Sequence, residues 1–310
     1  MQIIDLKHPE RELELGECGL VLGNFDGVHR GHRALIDELK RLNAERRPQL
    51  PLGALCFKTP PSAYLGTPVP QLSTTEEKLE LLKTAGLRFV ILYDFPELRD
   101  LSPMDFVKDI LIRDCHCMMA VCGFNYTFGA KGAGKPQDLV EWLGSQPRRS
   151  VSVVPAVTDG RHTVSSSEIR RMLELGHPED ATRMLGRPFS LTGTVLEGKS
   201  VGHKMGYPTA NLVFPEGGLI PAHGVYAVTV KIGRRSYFGI SNVGTRPTFD
   251  DGERVTCETF LFDFSGDLYG KTLQVSFLRF LRAERAFPSL QALQAQISRD
   301  ILRTKEFFGI

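Results

Sequence analysis

Between Cys18 and Phe124, short apolar runs alternate with amphipathic stretches, and this alternation limits the fold more than any other feature of the chain. CGLVLGNF is followed by HRALIDELKRLNAE, in which Ala34, Leu35, Leu39 and Leu42 recur at helical spacing. LGALCF, TEEKLELLKTAG, RFVILYDF, PMDFVKDILIRD and CMMAVCGF continue the alternation as strand, helix, strand, helix and strand. Such a chain builds a parallel sheet with covering helices. Ligands of these sheets bind beyond the carboxyl ends of the strands. Helix-start signals agree: Ser73 or Thr74 stands before Glu76 and Glu77, and Ser102-Pro103 stands before Met104.

Near Gly186 the texture changes. FSLTGTVLEG, TANLVF, GVYAVTVKIG, RSYFGISNVG, RVTCETFLFDF and KTLQVSFLRFL are strand-like and separated by turn-rich pieces. Six short strands at this spacing predict a small closed antiparallel barrel, and SLQALQAQISRDILRTKEFF predicts a helix packed on it. A chain of 310 residues exceeds one ordinary core, so two domains are expected, residues 1–185 and 186–310. GAKGAGKP (129–136) is the expected mobile loop.

A net charge of +2 gives no global reason to expect nucleic acid or acidic lipid as a partner, and leaves room for a local phosphate site. MQIIDLKHPERELELGE lacks the apolar core of a secretion signal, and no later run is long and apolar enough to span a bilayer. The expectation from these features is a cytoplasmic protein. The six cysteines are expected as buried thiols. CHCMMAVC (115–122) lacks paired C-x-x-C knuckles and reads as a strand carrying small sulfur side chains rather than a zinc site.

LGNFDGVHRGHRAL (22–35) sets a glycine-containing turn between a strand and a helix. Main-chain N–H groups and a helix N-terminus at a strand's carboxyl end favour anions. Gly23, Gly27 and Gly31 permit close backbone approach, and His29 and His32 share a helix face. Two imidazoles there suit a triphosphate whose charge redistributes as pyrophosphate leaves. The spacing is not that of a zincin helix, and no G-K-[ST] follows as in a P-loop. Structural histidines remain an alternative at this point. VSSSEIR (164–170) offers Ser165 and Ser166 as donors and Arg170 as a cation for phosphate oxygens. An ordinary capped helix start is its plain alternative.

GNFDGVHRGH resembles the first motif of the nucleotidyltransferase superfamily, and VSSSEIR resembles its second. The resemblance implies a Rossmann-like domain in which Gly23, Asn24, Phe25, Asp26, Ser165, Ser166 and Arg170 hold ATP with Mg²⁺, and His29 and His32 stabilise charge. GFNYTFG (123–129) resembles the family's flavin- and nucleotide-facing strand and loop, and Asn125 is carried over from it. Phe124, Tyr126 and Phe128 fit ordinary core equally. Where the family commonly shows a phenylalanine-proline-histidine-proline segment, this chain reads CFKTPPSAYL, with Lys58 and Thr59 and no histidine.

GKSVGHKMGYPTANL (198–212) lies among the barrel strands. Gly202 and Gly206 flank Lys204 in a loop able to wrap a phosphate, and Pro208 fixes the entry of Thr209. Thr209 and Asn211 face the same way in extended chain, and hard oxygen donors beside a phosphate loop suit Mg²⁺. A barrel turn with locally satisfied Thr and Asn fits as well. In VTCETFLFDF (255–264), read as a strand, Glu258 shares a face with Phe260, Phe262 and Phe264. Partial desolvation makes a carboxylate a better base; an outward glutamate at an edge is the alternative.

G-x-P-T-A-N, the glutamate strand, DLYG (267–270), GISNVGTRPTF (239–249) with Asn242, and LRAERAF (281–287) with Arg282 together resemble riboflavin kinase. The order of the two modules is that of the bacterial bifunctional FAD synthetase family. The resemblance implies phosphorylation of riboflavin to FMN on the barrel, with Glu258 as general base and Thr209 and Asn211 on Mg²⁺-ATP. It further implies adenylylation of FMN to FAD, with release of pyrophosphate, on the first module.

Overall fold

In the computed structural model, which describes residues 1–5, 16–66, 68–196, 209–248 and 252–310, the chain divides into two units, Met1–Ser166 and Ser167–Ile310. The first holds six parallel strands: Gln2–Asp5 (β1), Cys18–Leu22 (β2), Leu52–Phe57 (β3), Phe89–Tyr93 (β4), Cys117–Gly123 (β5) and Ser150–Val154 (β6). Their order is β1-β4-β3-β2-β5-β6. From β2 the chain winds one way through β3 and β4, then returns to the other side of β2 for β5 and β6. That reversal opens a crevice at the carboxyl end of β2, where sheets of this Rossmann-like kind bind nucleotides.

The helices of this unit are Arg30–Ala44 (α1), Pro61–Tyr64 (α2), Thr75–Thr84 (α3), Phe95–Leu98 (α4), Pro103–Asp105 (α5) and Pro136–Trp142 (α6). Alternate residues of β2 feed opposite faces of the sheet. Val21 packs with Leu35, Ile36 and Leu39 of α1 and Leu82 of α3, while Leu20 and Leu22 pack with Val107, Ile110 and Leu111. Each such fully buried aliphatic side chain contributes about 1.5–3 kcal/mol. Thr74 is the cap of α3: its hydroxyl accepts the Glu77 N–H and the Glu77 carboxylate accepts the Thr74 N–H.

Several details differ from the sequence reading. It assigned no strand to residues 2–5 or 150–154. The helix expected over 103–114 continues from α5 as a π-helix, Phe106–Asp114, closed by Cys115 N–H to Ile110 O at 2.9 Å. The expected mobile loop is tied down by Ala130 N–H to Leu101 O at 2.6 Å and by a Phe128–Gly134 bridge. All six cysteines are buried free thiols.

The second unit holds Phe189–Thr194 (β7), Thr209–Val213 (β8), Gly224–Ile232 (β9), Arg235–Thr248 (β10), Gly252–Leu261 (β11) and Thr272–Ala283 (β12). All pair antiparallel in the order β7-β12-β9-β10-β11-β8. The sheet curls until its edges meet, with Leu196 just beyond β7 donating its N–H to Asn211 O on β8 at 2.9 Å. Tyr226, Val228, Val230, Val275 and Phe277 fill one face. Ser166–Glu174 (α7) and Pro178–Leu185 (α8) lead into the sheet, and Leu290–Phe308 (α9), capped by Ser289, lays Ile301 against Val225, Ile240 and Phe262. β11 stops at Leu261, short of the expected 264: Asp263 turns at φ +52° and Phe264 packs edge-on against Tyr237. Phe260 and Phe262 share the Glu258 side of the sheet; Phe264 does not join them.

Candidate functional site

The first site grows out of the end of β2. Phe25, Gly27 and Val28 take φ of +56°, +75° and +39°. Positive φ at a β-branched residue is strained, about 1–3 kcal/mol, and persists only where the surroundings dictate it. Here they do. Phe25 and Val28 are fully buried, and the buried Asp26 carboxylate accepts the N–H of Leu72 at 2.9 Å and of Ser73 at 3.3 Å. Gly27 N–H donates to Ser73 Oγ at 3.1 Å, so the turn is clamped to the segment that leads into α3. On its other side Ser166 Oγ donates to Asp26 O at 3.0 Å. That bond joins GNFDG to VSSS across 140 residues.

His29 is buried and caps α1: its Nδ1 accepts the His32 N–H at 3.3 Å. The neutral ring therefore carries its proton on Nε2. The His29 and His32 rings stack at 3.7 Å, and Phe25 lies 5.0 Å from His32. Burial, then His29, then the Lys78 charge hold the His32 pKa well below the usual 6.5, so this ring is neutral too. His32 Nδ1 and Asn24 Oδ1 are buried with no hydrogen-bond partner among the described residues. Buried polar atoms left in this way mark where a ligand's polar groups belong. Gly23 and Gly31 pack on the protein itself; a Cβ on Gly31 would lie 3.0 Å from the His29 ring.

Asn125 lies exposed just beyond β5; Phe128 is core, 5.3 Å from Phe106, with Tyr126 stacked on it at 5.9 Å. Ser165 is half-buried ahead of α7. Arg170 sits on α7 within the second unit. CFKTPPSAYL leaves β3 with Lys58 N–H bonded to Tyr93 O at 2.8 Å, and Phe57 and Tyr64 both contact Phe95. Sequence reasoning took Ser73 only as a candidate helix start and missed the burial of Lys78, which has the look of a solvated helix residue in TEEKLELLKT and is 6% exposed.

The second site is a single row across the curled sheet. Asn211 on β8 faces Glu258 on β11, Glu258 faces Asn242 on β10, and the row continues through Val225 on β9 to Arg282 on β12. Directly opposed residues share a face, so register gathers four residues scattered over 72 positions of sequence. Thr209, two residues before Asn211, pairs with Phe260 on the same side. Asn211 Nδ2 leans on Thr209 O at 3.4 Å, and its Oδ1 is buried without a hydrogen-bond partner among the described residues. A lone buried amide oxygen beside a threonine hydroxyl fits a hard cation such as Mg²⁺.

Asn242 Nδ2 donates to Glu284 Oε1 at 2.9 Å. Gly244 makes room for that carboxylate, since a Cβ there would fall 1.9 Å from Glu284 Oε1. At the end of the row, Arg282 Nε and Nη2 both reach Asp300 Oδ2 of α9 at 2.8 Å. Asp300 also accepts from Gln296 Nε2 at 2.7 Å, and Gln296 accepts from Arg285 at 2.5 Å. Glu284, Gln296 and Asp300 were not anticipated; Glu284 stood inside LRAERAF, while the two α9 residues carry no local signal. Gly202, Lys204, Gly206 and Pro208 lie outside the described residues.

A family model described as FAD synthetase matches residues 12–168, and one described as riboflavin kinase matches residues 185–308. The bifunctional riboflavin kinase/FMN adenylyltransferase of Listeria monocytogenes is 33% identical over 315 residues, spanning 100% of this chain and 99% of that protein. The chain belongs to the bifunctional riboflavin kinase/FMN adenylyltransferase family. The Escherichia coli K12 member is 34% identical over 94% of this chain and 93% of its own. The crystal structure of a macrolide-efflux protein from Streptococcus pneumoniae superposes with a TM-score of 0.88 at 32% identity, over 98% of this chain and 99% of that one. Among the described residues of this family member, no helix is long and apolar enough to cross a membrane.

Proposed function

We propose that this chain phosphorylates riboflavin to FMN with ATP on its second module and adenylylates FMN with a second ATP on its first, forming FAD and pyrophosphate. The observation that carries the reading is the pair of family matches in this order, over residues 12–168 and 185–308. We set the functional boundary at 185/186, so that modules 1–185 and 186–310 each hold one activity. We also infer a cytoplasmic enzyme, monomeric or weakly self-associating, without a nucleic-acid partner, in keeping with a net charge of +2.

On the barrel, the Glu258 carboxylate takes the proton of riboflavin's terminal ribityl hydroxyl as that oxygen attacks the γ-phosphorus of ATP; ADP leaves. Asn242, held by Glu284, and Arg282, held by Asp300, fix the flavin-side end of the row. Thr209 and Asn211 would hold Mg²⁺ with the triphosphate, and that ion, when bound, neutralises phosphate charge. Gly202, Lys204, Gly206 and Pro208, outside the described residues, would contribute to binding the ATP phosphates.

On the first module the nucleophile is the FMN phosphate, already ionised, so the residues there need no strong base. Its oxygen bonds to the α-phosphorus of ATP as the bond to pyrophosphate breaks. The neutral His29 donates from Nε2 and His32 from its one ring N–H to the phosphate oxygens, and Ser165, Ser166 and Arg170 hold the rest of the triphosphate. Gly23, Asn24, Phe25, Asp26 and Asn125 shape the nucleotide cradle, again with Mg²⁺. Purified protein incubated with riboflavin, ATP and Mg²⁺, with the flavins resolved chromatographically, should yield FMN and then FAD. FMN without FAD overturns the transferase half; no FMN overturns the kinase half.

A further inference from the structure

Glu284 follows Ala283, the last residue of β12, and its side chain passes the start of β9 to reach β10. There Asn242 Nδ2 donates to Glu284 Oε1 at 2.9 Å. The same carboxylate lies over Gly244, two residues along β10 from Asn242 and on the same face. A Cβ on Gly244 would overlap Glu284 Oε1 and crowd Oε2 as well. Gly244 is not among the glycines with positive φ, so its backbone does not call for glycine. What the position requires is room for a close approach, and Glu284 occupies that room.

This contact decides which way the Asn242 amide faces. A carboxylate only accepts, so the amide turns its nitrogen toward Glu284. Glu284 arrives from the β9 side of β10, whereas Glu258 stands directly opposite Asn242 on β11, the strand on the other side. With Nδ2 committed to the first side, Oδ1 is presented to the second, next to Glu258. Opposed residues on neighbouring strands hold their Cβ atoms about 4.5–5.5 Å apart. An acceptor therefore stands beside the carboxylate that takes the proton of the terminal ribityl hydroxyl. A polyol chain laid along this row carries further hydroxyls, and each can donate.

We propose that Glu284 is a positioning residue of the kinase site: it sets the Asn242 amide so that Oδ1 accepts a hydrogen bond from the ribityl hydroxyl next to the terminal one, and Gly244 leaves the room its carboxylate needs. The inference rests on the kinase reading above and deepens it, adding a determinant of ribityl recognition to the general base. A site built to pair with a substrate hydroxyl rejects a chain that lacks it, because its own polar group is then left unpaired.

The test uses the full-length protein with riboflavin, Mg²⁺-ATP and a riboflavin analogue lacking that one hydroxyl. Glu284→Ala should raise the riboflavin KM and lower kcat/KM for FMN formation about 10-fold. The KM for ATP, and FAD formation from supplied FMN, should stay as in wild type. On the same substitution the analogue should lose less than about twofold. Gly244→Ala keeps Glu284 in the chain but expels its carboxylate, and should reproduce the loss on riboflavin. Glu284→Gln keeps an acceptor for Nδ2 and should recover most of it. In an Asn242→Ala background, Glu284→Ala should cost nothing further, since it acts through that amide.

A folded Glu284→Ala with riboflavin kcat/KM within about twofold of wild type overturns the proposal. So does an additive loss in the Asn242→Ala background or an equal loss for the analogue, either of which marks a merely structural contact. Should Glu284→Ala not fold, Gly244→Ala is judged by the same criteria. A wild-type enzyme that makes no FMN would sink the kinase reading by itself. The riboflavin affinities of the same variants, read from flavin fluorescence, then still decide for or against Glu284.

Discussion

Replacing Asp300 by alanine should cost the second unit about 4 kcal/mol. The Asp300 side chain is 2% exposed and that of Arg282 18%, and two guanidinium nitrogens reach one carboxylate oxygen at 2.8 Å. Breaking a buried pair on one side costs about 3–5 kcal/mol, chiefly because the other charge is left without a partner. Arg282 keeps some contact with water, which puts Asp300→Ala at the lower end of that range. Gln296 Nε2 also loses its acceptor at 2.7 Å, adding about 1 kcal/mol. Arg282→Met should cost a similar ~3 kcal/mol. The double variant Arg282→Met/Asp300→Leu removes both charges and should cost only about 1–2 kcal/mol, a coupling of several kcal/mol between the two sites.

Trp142, the single tryptophan, lies on α6 in the first unit and is blind to this change. The readout is therefore amide hydrogen exchange of β9, residues 224–232, with Trp142 fluorescence as an internal control that should not move. If the single variants protect β9 as well as wild type, or if the double variant loses as much as the two singles summed, the pair is not a coupled buried charge and the reasoning fails.

Glu258→Gln should abolish FMN formation from riboflavin while leaving FAD formation from supplied FMN intact; loss of both activities would show that the two sites are not separate. His29→Ala should do the converse, and because His29 caps α1 it should also lower the stability of the first unit by about 1 kcal/mol. His32 gives a pH dependence of definite sign. Its folded pKa lies well below the usual 6.5, so below about pH 6.5 the unfolded chain binds a proton that the folded chain refuses. The stability of the first unit should fall as pH drops below that value, until the folded ring itself titrates. His32→Gln should flatten the curve, as followed by Trp142 fluorescence in urea between pH 8 and 5; an unchanged slope would mean that His32 protonates freely in the native state.

What the sequence made legible was local in origin. The 3.6-residue period in HRALIDELKRLNAE and the apolar run LGALCF place α1 and β3 because each buries a face that its own residues define. The strand SVSVV of β6 carries no such mark: its residues are half-buried or exposed, so alternation never separates an inner from an outer face. The site residues divide in the same way. GNFDGVHRGH and PTAN advertise themselves by composition, whereas the row Asn211–Glu258–Asn242–Arg282 exists only through strand register. Register is set by pairing partners that no single strand encodes, and a slip of one residue would send Glu258 to the opposite face.

Lys78 and Asp300 are the clearest cases of the remainder. In TEEKLELLKT and QISRDILRTK each reads as part of a charged, solvated helix face. Each is drawn in by a distant segment: the turn at Asp26 is bonded to the stretch that leads into α3, and Arg282 crosses from β12 to meet Asp300 on α9. Burying either group costs free energy that packing alone does not return, so neither can be inferred from amphipathic pattern, which registers only what stabilises. Asp300 finds its counter-ion within the fold, where two guanidinium nitrogens of Arg282 reach its carboxylate at 2.8 Å, and it serves structure.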